Sequence, residues 1–235
     1  MATWVVGDIH GCAAELERLL AELALGAGDA LVALGDLFHR GPDPLGVVHC
    51  LAEAGARFVL GNHEHALLAR LGPRLEAGEH GPPLRDADLL GDSGRPLCVA
   101  PGHAGPLLAF LREHSGYFLE SRALPDAGPT RDGRAWCAVH AGLSPGRSAR
   151  SSRIEDLVCP ARSGGGSFWY ESYAGPELVL FGHLVQSRPL VVARDGQRLA
   201  IGLDTGALYG GELTAYSPEL EEFRSVRAAR AYATR

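Results

Sequence analysis

Six short apolar runs along the chain each end on a polar residue with a lone pair to offer: "TWVVGD" to Asp8, "ALVALGD" to Asp36, "RFVLGN" to Asn62, "WCAVH" to His140, "LVLFGH" to His183 and "LAIGLD" to Asp204. Continuous apolar runs of this length predict strands buried on both faces. Between the first three runs lie "CAAELERLLAELA" and "PLGVVHCLAEAG", whose apolar residues recur at intervals of three and four, the helical period. Strand–helix–strand alternation predicts parallel pairing with right-handed crossovers. In such sheets the carboxyl ends of the strands line one edge, where ligands bind. Any one of these polar residues could simply end a strand, but six in the same position are expected to meet in one place. The glycines beside many of them permit the tight turns and close backbone approach that such a meeting needs.

The pattern lapses between Gly72 and Arg134. There "LGPRLEAGEHGPPLRDADLLGDSGRP" reads as loop with short helices, "GPLLAFLREH" predicts a helix, and "YFLESRAL" with "RAWCAVH" predicts a hairpin about "PDAGPTRDG". The organisation expected is one domain over residues 1–235, with a cap or insertion at about 73–134 beside the site. A second irregular stretch, Ser144 to Gly175, holds "RSGGGSFWY". Its three glycines lack the following helix and Lys-Ser/Thr of a P-loop, so a flexible loop is the reading, with Trp169 and Tyr170 packed and not stacking on a ligand.

The chain has 235 residues, 46% hydrophobic and 21% charged, enough for a sizeable core. A formal net charge of −6 leaves no basic nucleic-acid footprint. All 22 basic residues are arginine, and Asn62 is the sole asparagine, the mark of a GC-rich genome. Where an avoided residue does occur, as at Asn62, it carries information. The five cysteines form no Cys-x-x-Cys pair and predict no disulfide framework. With no leader-like opening and no apolar run of transmembrane length, a soluble cytoplasmic protein without membrane or stable nucleic-acid partners is expected; nothing in the sequence addresses oligomeric state.

Asp8, His10, Asp36, Asn62, His140 and His183 form a mixed oxygen and nitrogen set. It suits two divalent ions, Mn²⁺ first, with Fe, Zn²⁺ or Co²⁺ possible, better than Mg²⁺. Six ligands exceed one tetrahedral site and fit two metals sharing one carboxylate. Two cations about 3.5–4 Å apart can acidify a water between them and clamp phosphoryl oxygens. An amide such as Asn62 binds through oxygen without adding charge and can still donate to phosphate. His63 beside it could protonate a leaving oxygen, and Arg40 offers the planar fork that matches phosphate.

The blocks "GDIHG", "GDLFHRG", "GNHE", "VHAG" and "FGH", spread from residue 7 to residue 183, resemble in order and spacing the signature of the phosphoprotein-phosphatase family of metallophosphoesterases. Within that family the chain is most similar to bacterial diadenosine tetraphosphatases and to bacterial or phage Ser/Thr phosphatases. The resemblance implies an α/β fold, the calcineurin-like four-layer α/β/β/α sandwich with a dimetal site at strand carboxyl ends. It implies Asp8, His10 and Asp36 on one metal, and bridging Asp36, Asn62, His140 and His183 on the other. Arg40, Asn62 and His63 would contact phosphate, His63 as general acid; a second phosphate arginine is expected after the fourth block, and Arg162 is the candidate. One departure matters. Protein phosphatases carry Asp-Arg-Gly where this chain has His39-Arg40-Gly41, so the carboxylate that charges the acid is missing. Polyphosphate-cleaving members also lack it, and their leaving group needs little protonation. The expected function is therefore hydrolysis of phosphoric anhydrides in dinucleoside polyphosphates by direct attack of metal-activated water. The alternatives are a phosphoprotein phosphatase and, behind it, a non-catalytic metal-binding scaffold.

Overall fold

The structure, a computed structural model, describes residues 1–76, 107–111, 115–160 and 166–234. All six apolar runs are strands: β1 (Thr3–Val6), β2 (Ala30–Ala33), β3 (Arg57–Val59), β6 (Trp136–Val139), β7 (Leu178–Phe181) and β9 (Gln197–Gly202). The helices α1 (Ala13–Leu23), α2 (Pro44–Glu53) and α3 (Asn62–Glu76) follow β1, β2 and β3 in turn. Asp43 caps α2 by accepting from the Gly46 N–H at 2.8 Å, and Pro44 occupies the first turn, where its missing N–H costs nothing. A helical segment at residues 107–111 (α4) and a short α5 (Ile154–Val158) complete the helices described.

The strands divide into two sheets. Strands β1, β2 and β3 pair in parallel, extended by β4 (Ser115–Gly116) on one side and by antiparallel β10 (Glu212–Ser217) and β11 (Glu222–Arg227) on the other. The second sheet runs β5 (Phe118–Glu120), β6, β7, β9, β8 (Leu190–Arg194), with β6, β7 and β9 parallel and the two edges antiparallel. Period-2 alternation assigns each side chain to a layer. Trp4 and Val6 face a helix-side core with Leu16, Leu19 and Leu51, whereas Val5 and Val32 meet Trp136, Leu180 and Ile201 between the sheets. Cys137, Val139, Val179 and Phe181 turn to an outer core with Leu157 of α5, Trp169 and Tyr170. The expected α/β/β/α order is present. Its fourth layer, among the described residues, consists of the five-residue α5 and short 3₁₀ turns.

The hairpin expected around residues 117–140 forms, as β5 against β6. Of the stretch 73–134 expected to cap the site, 77–106 and 112–114 lie outside the described residues. Residues 107–111 pack into the helix-side core, and 115–120 supply a strand to each sheet. Among the described residues, Cys12, Cys50 and Cys137 are buried and Cys159 exposed, and none of the four is paired with another. No described helix is long and apolar enough to cross a membrane.

Candidate active site

The parallel strands of both sheets end at one edge, where the polar residues they were expected to deliver converge. Asp8 and His10 follow β1, Asp36 follows β2, Asn62 and His63 open α3 after β3, and His140 and His183 follow β6 and β7. The turns that aim them are tight. His10, Asp36, Arg40 and His183 have positive φ of 50°, 49°, 74° and 64°, a region that non-glycine residues enter only where surroundings enforce it. Gly182 and Gly61 make the approach possible, because a Cβ on either would collide with a carboxylate oxygen of Asp8 or Asp36 respectively.

Asp36 lies at the centre. Its Oδ2 is 3.6 Å from His10 Nε2 and 3.7 Å from His63 Nε2, while its Oδ1 is 3.5 Å from His140 Nε2. One N–H left free in the first turn of α3 meets this carboxylate, that of His63 donating to Oδ1 at 3.3 Å. Across the site, Asp8 accepts from the His183 N–H through both oxygens at 3.1 Å. Two potential metal-holding groups result, His10–Asp36–His63 and Asp36–His140–His183, with Asp36 common to both.

The imidazoles are oriented from behind. His140 Nδ1 donates to the Leu34 carbonyl at 2.7 Å, so its Nε2 turns a lone pair inward. That atom stands 3.1 Å from Asn62 Oδ1 and 3.2 Å from His183 Nδ1, and these two are 3.1 Å from each other. A single imidazole proton can satisfy only one of these three contacts, whereas a cation among them satisfies all three. His10 is held similarly, Nδ1 donating to the His39 carbonyl at 3.1 Å. The charge balance points the same way. Burial, then Asp204 and Asp36, hold the Asp8 carboxyl well above its ordinary range. Burial lowers His10 and His183 to about 4, leaving both rings neutral and able to act as ligands at pH 7. For Asp36, burial is outweighed by the surrounding His140, His63, His10 and His183, and the group is held well below the usual carboxylate range. Buried, crowded carboxylates and neutral imidazoles with inward lone pairs fit divalent cations of the borderline class.

Arg40 is partly buried at the rim, its guanidinium carbon 5.3 Å from the centroid of the Tyr209 ring. Among the described residues it has no hydrogen bond or ion pair. His39, where protein phosphatases carry an acid, is buried with its ring 4.5 Å from that of His63, centroid to centroid. Among the described residues its Nδ1 has no partner at hydrogen-bond distance, and it lies 3.8 Å from Glu64 Oε1. Burial foremost lowers His63 below the ordinary histidine value. Arg162 lies outside the described residues. Asp204 accepts from the Gly206 N–H at 3.0 Å, and Trp169 donates to the Ala141 carbonyl at 3.1 Å from within the outer core. His65 meets the Tyr117 hydroxyl at 2.8 Å.

One residue of the third block has a role that the sequence reading did not give it. Glu64, fully buried, accepts from the N–H groups of Asp36 (2.7 Å), Leu37 (2.9 Å) and Gly61 (3.1 Å), tying the β2 and β3 loops together behind Asp36.

Strand-end carboxylates and imidazoles gathered on one shared aspartate, at the common edge of two sheets, define a metallophosphoesterase. The chain belongs to the calcineurin-like phosphoesterase family, whose model matches residues 1–187. It is 36% identical over 162 residues to the symmetrical bis(5'-nucleosyl)-tetraphosphatase of Shewanella oneidensis, a match covering 67% of this chain and 50% of the relative. A match to serine/threonine-protein phosphatase 1 of Salmonella typhimurium reaches 48% identity over 66 residues, 28% of this chain and 31% of that protein. The matched region thus spans about half the length of the first relative and less of the second. Among solved structures, a protein provisionally assigned as a diadenosine tetraphosphatase superposes with a TM-score of 0.71 at 28% identity. That superposition covers 97% of this chain and 93% of the other.

Proposed function

We propose that this chain hydrolyses dinucleoside polyphosphates, diadenosine tetraphosphate in particular, with two divalent cations, Mn²⁺ first among them. Asp8, His10 and Asp36 would hold one cation, and Asp36, Asn62, His140 and His183 the other. The observation that carries this reading is the split of Asp36, whose two oxygens face separate imidazole groups. When bound, such a pair supplies an acidified water and neutralises phosphoryl charge. The chain's own residues do the rest. Asp36 fixes the spacing of the two groups and Arg40 presents its N–H fork to a phosphate. The Asn62 amide donates a further hydrogen bond, and His63 stands at the leaving oxygen.

The choice of an anhydride rests on His63. Its ring is held neutral by burial, and among the described residues no carboxylate other than Asp36 lies within ion-pair distance of it. A nucleotide phosphate departs as a stable anion and needs little protonation, whereas an alkoxide from phosphoserine needs a strong donor. The Shewanella oneidensis relative is named for symmetrical cleavage, and two ADP are the products expected here. The match to a serine/threonine-protein phosphatase supports the second reading, phosphomonoester hydrolysis by the same residues. Metal analysis of protein dialysed against Mn²⁺ tests the site: two ions per chain are expected, falling together with turnover on chelation. Full activity in metal-free protein would refute it.

A further inference from the structure

Resting on the phosphate-binding role proposed for Arg40, we propose that Tyr209 is a positioning residue for it, and that the C-terminal segment 228–233 holds Tyr209 in place. Both lie beyond residues 1–187, the part of the chain that matches the family model.

The need for such a residue follows from the charges around Arg40. Asp8, Asp36, Glu64 and Asp204 are all buried near the same edge. A flexible guanidinium beside them would be drawn into a carboxylate pair, its fork then occupied. Arg40 makes no such pair among the described residues. Its backbone is fixed at φ 74°, and its guanidinium carbon sits 5.3 Å from the Tyr209 ring centroid. An aromatic face attracts the flat side of the cation and leaves the N–H groups at its edges for a ligand's oxygens. Tyr209 can therefore hold the arginine without consuming the donors that a phosphate needs.

The ring is itself carried on a braced loop. Tyr209 and Gly211 N–H groups both donate to the Gly206 carbonyl at 2.9 Å, and Gly210 donates to Ala207 at 3.1 Å. Thr205 Oγ1 closes the loop base by donating to the Glu212 carbonyl at 2.7 Å. The C-terminal segment then clasps the loop. Tyr209 pairs with Ala231 in a β-bridge, and the N–H groups of Tyr232 and Ala233 donate to the Leu208 carbonyl at 2.9 and 3.2 Å. The segment is anchored on α1 by Glu15, fully buried, whose Oε1 accepts from the Ala229 N–H at 2.9 Å and the Tyr232 hydroxyl at 3.0 Å. Helix α1, the C-terminal segment, the Tyr209 loop and Arg40 are thus linked in sequence by hydrogen bonds and one ring contact.

The test compares Tyr209→Leu, Tyr209→Phe, Arg40→Ala and the Arg40→Ala/Tyr209→Leu double variant, each loaded with Mn²⁺. Inorganic phosphate binding is measured by calorimetry, and kcat and KM by p-nitrophenyl phosphate and diadenosine tetraphosphate turnover. Losing the ring face should weaken phosphate binding and raise KM by roughly five- to tenfold, with kcat changed less and metal content unchanged. Tyr209→Phe, which keeps the face, should stay within about twofold of wild type. Tyr209→Leu should add nothing once Arg40 is gone, since the two residues act as one unit. Tyr232→Phe, which loses its bond to Glu15, should shift phosphate binding in the same direction by a smaller factor. Unchanged phosphate binding in Tyr209→Leu, or additive losses in the double variant, would overturn the inference. Calorimetry needs no turnover, so a wild type that binds phosphate but cleaves neither substrate would count against the proposed function alone.

Discussion

Replacing Glu64 with Gln changes one atom behind the site and should be felt both in stability and in metal affinity. The carboxylate is fully buried, with Oε2 accepting from the Asp36 and Gly61 N–H groups and Oε1 from that of Leu37. Gln keeps the shape, and its best orientation places the amide oxygen where Oε2 stood. The Leu37 N–H then faces an NH₂ group. One charge-assisted hydrogen bond is lost with its donor stranded, costing about 1.5–3 kcal/mol. Two more become neutral, each weakened by about 0.5–1 kcal/mol. Relief of repulsion against the nearby Asp36 carboxylate offsets a part, so a net loss of about 2–4 kcal/mol is expected. For a chain of this length that lowers Tm by roughly 5–15 °C. Because the same bonds hold Asp36 at φ 49°, Mn²⁺ affinity should fall by about 10–100-fold, the usual consequence of losing a group that orients a ligand. Urea unfolding of metal-free protein reads the first effect, and Mn²⁺ titration the second. A variant within about 0.5 kcal/mol of wild type and with unaltered Mn²⁺ binding would refute this role for Glu64.

Three further outcomes are expected. Asp36→Asn should abolish nearly all turnover and reduce bound Mn²⁺ from two ions per chain, and elemental analysis showing two ions would contradict the shared-ligand arrangement. His63→Asn should slow phosphoserine cleavage by about 10²–10⁴-fold but p-nitrophenyl phosphate cleavage far less; equal losses would mean that His63 positions phosphate without donating a proton. Metal-free protein should lose stability as pH falls from 6.5 towards 4. His10 and His183 stay neutral in the fold down to about 4, whereas the unfolded chain takes up their protons near 6.5, so the unfolded state binds more protons in that window. The slope is bounded by about 1.4 kcal/mol per pH unit for each ring. Asp8, whose carboxyl is held well above its ordinary range, keeps a proton in the fold that the unfolded chain has released and offsets a part of this loss. Stability that rises on acidification over that range would contradict the burial of the imidazoles.

Much of this candidate site could be read in the sequence because its polar residues end apolar runs, and a run of four buried residues signals a strand whichever sheet it joins. Asp8, Asp36, Asn62, His140 and His183 each end such a run, and the structure brings all five to one edge. The division into two sheets was not visible in the runs themselves, since β3 and β6 look alike in sequence yet belong to different layers; only the family resemblance implied it. Among the strands missed, β8, β10 and β11 are exposed or polar on at least one face, as in "EFRSVR", and lack the continuous apolar signal, while β4 is only two residues long. Glu64 escaped because a glutamate in the first turn of a helix is usual company for the helix dipole. That its carboxylate turns back onto three backbone N–H groups depends on the β2 loop, 28 residues earlier. Tyr209 escaped for a related reason, because its partner Arg40 is far away in the chain and its own loop has no marked periodicity.

The central claim, a two-cation site tuned for anhydrides, is tested most directly by one comparison at saturating Mn²⁺: kcat/KM for diadenosine tetraphosphate against kcat/KM for a phosphoserine peptide, with nucleotide products resolved by chromatography. With His63 neutral and His39 in place of an acid, diadenosine tetraphosphate should be cleaved to ADP at least about 10²-fold more efficiently than the peptide. Peptide turnover equal to or above that of diadenosine tetraphosphate would contradict the account.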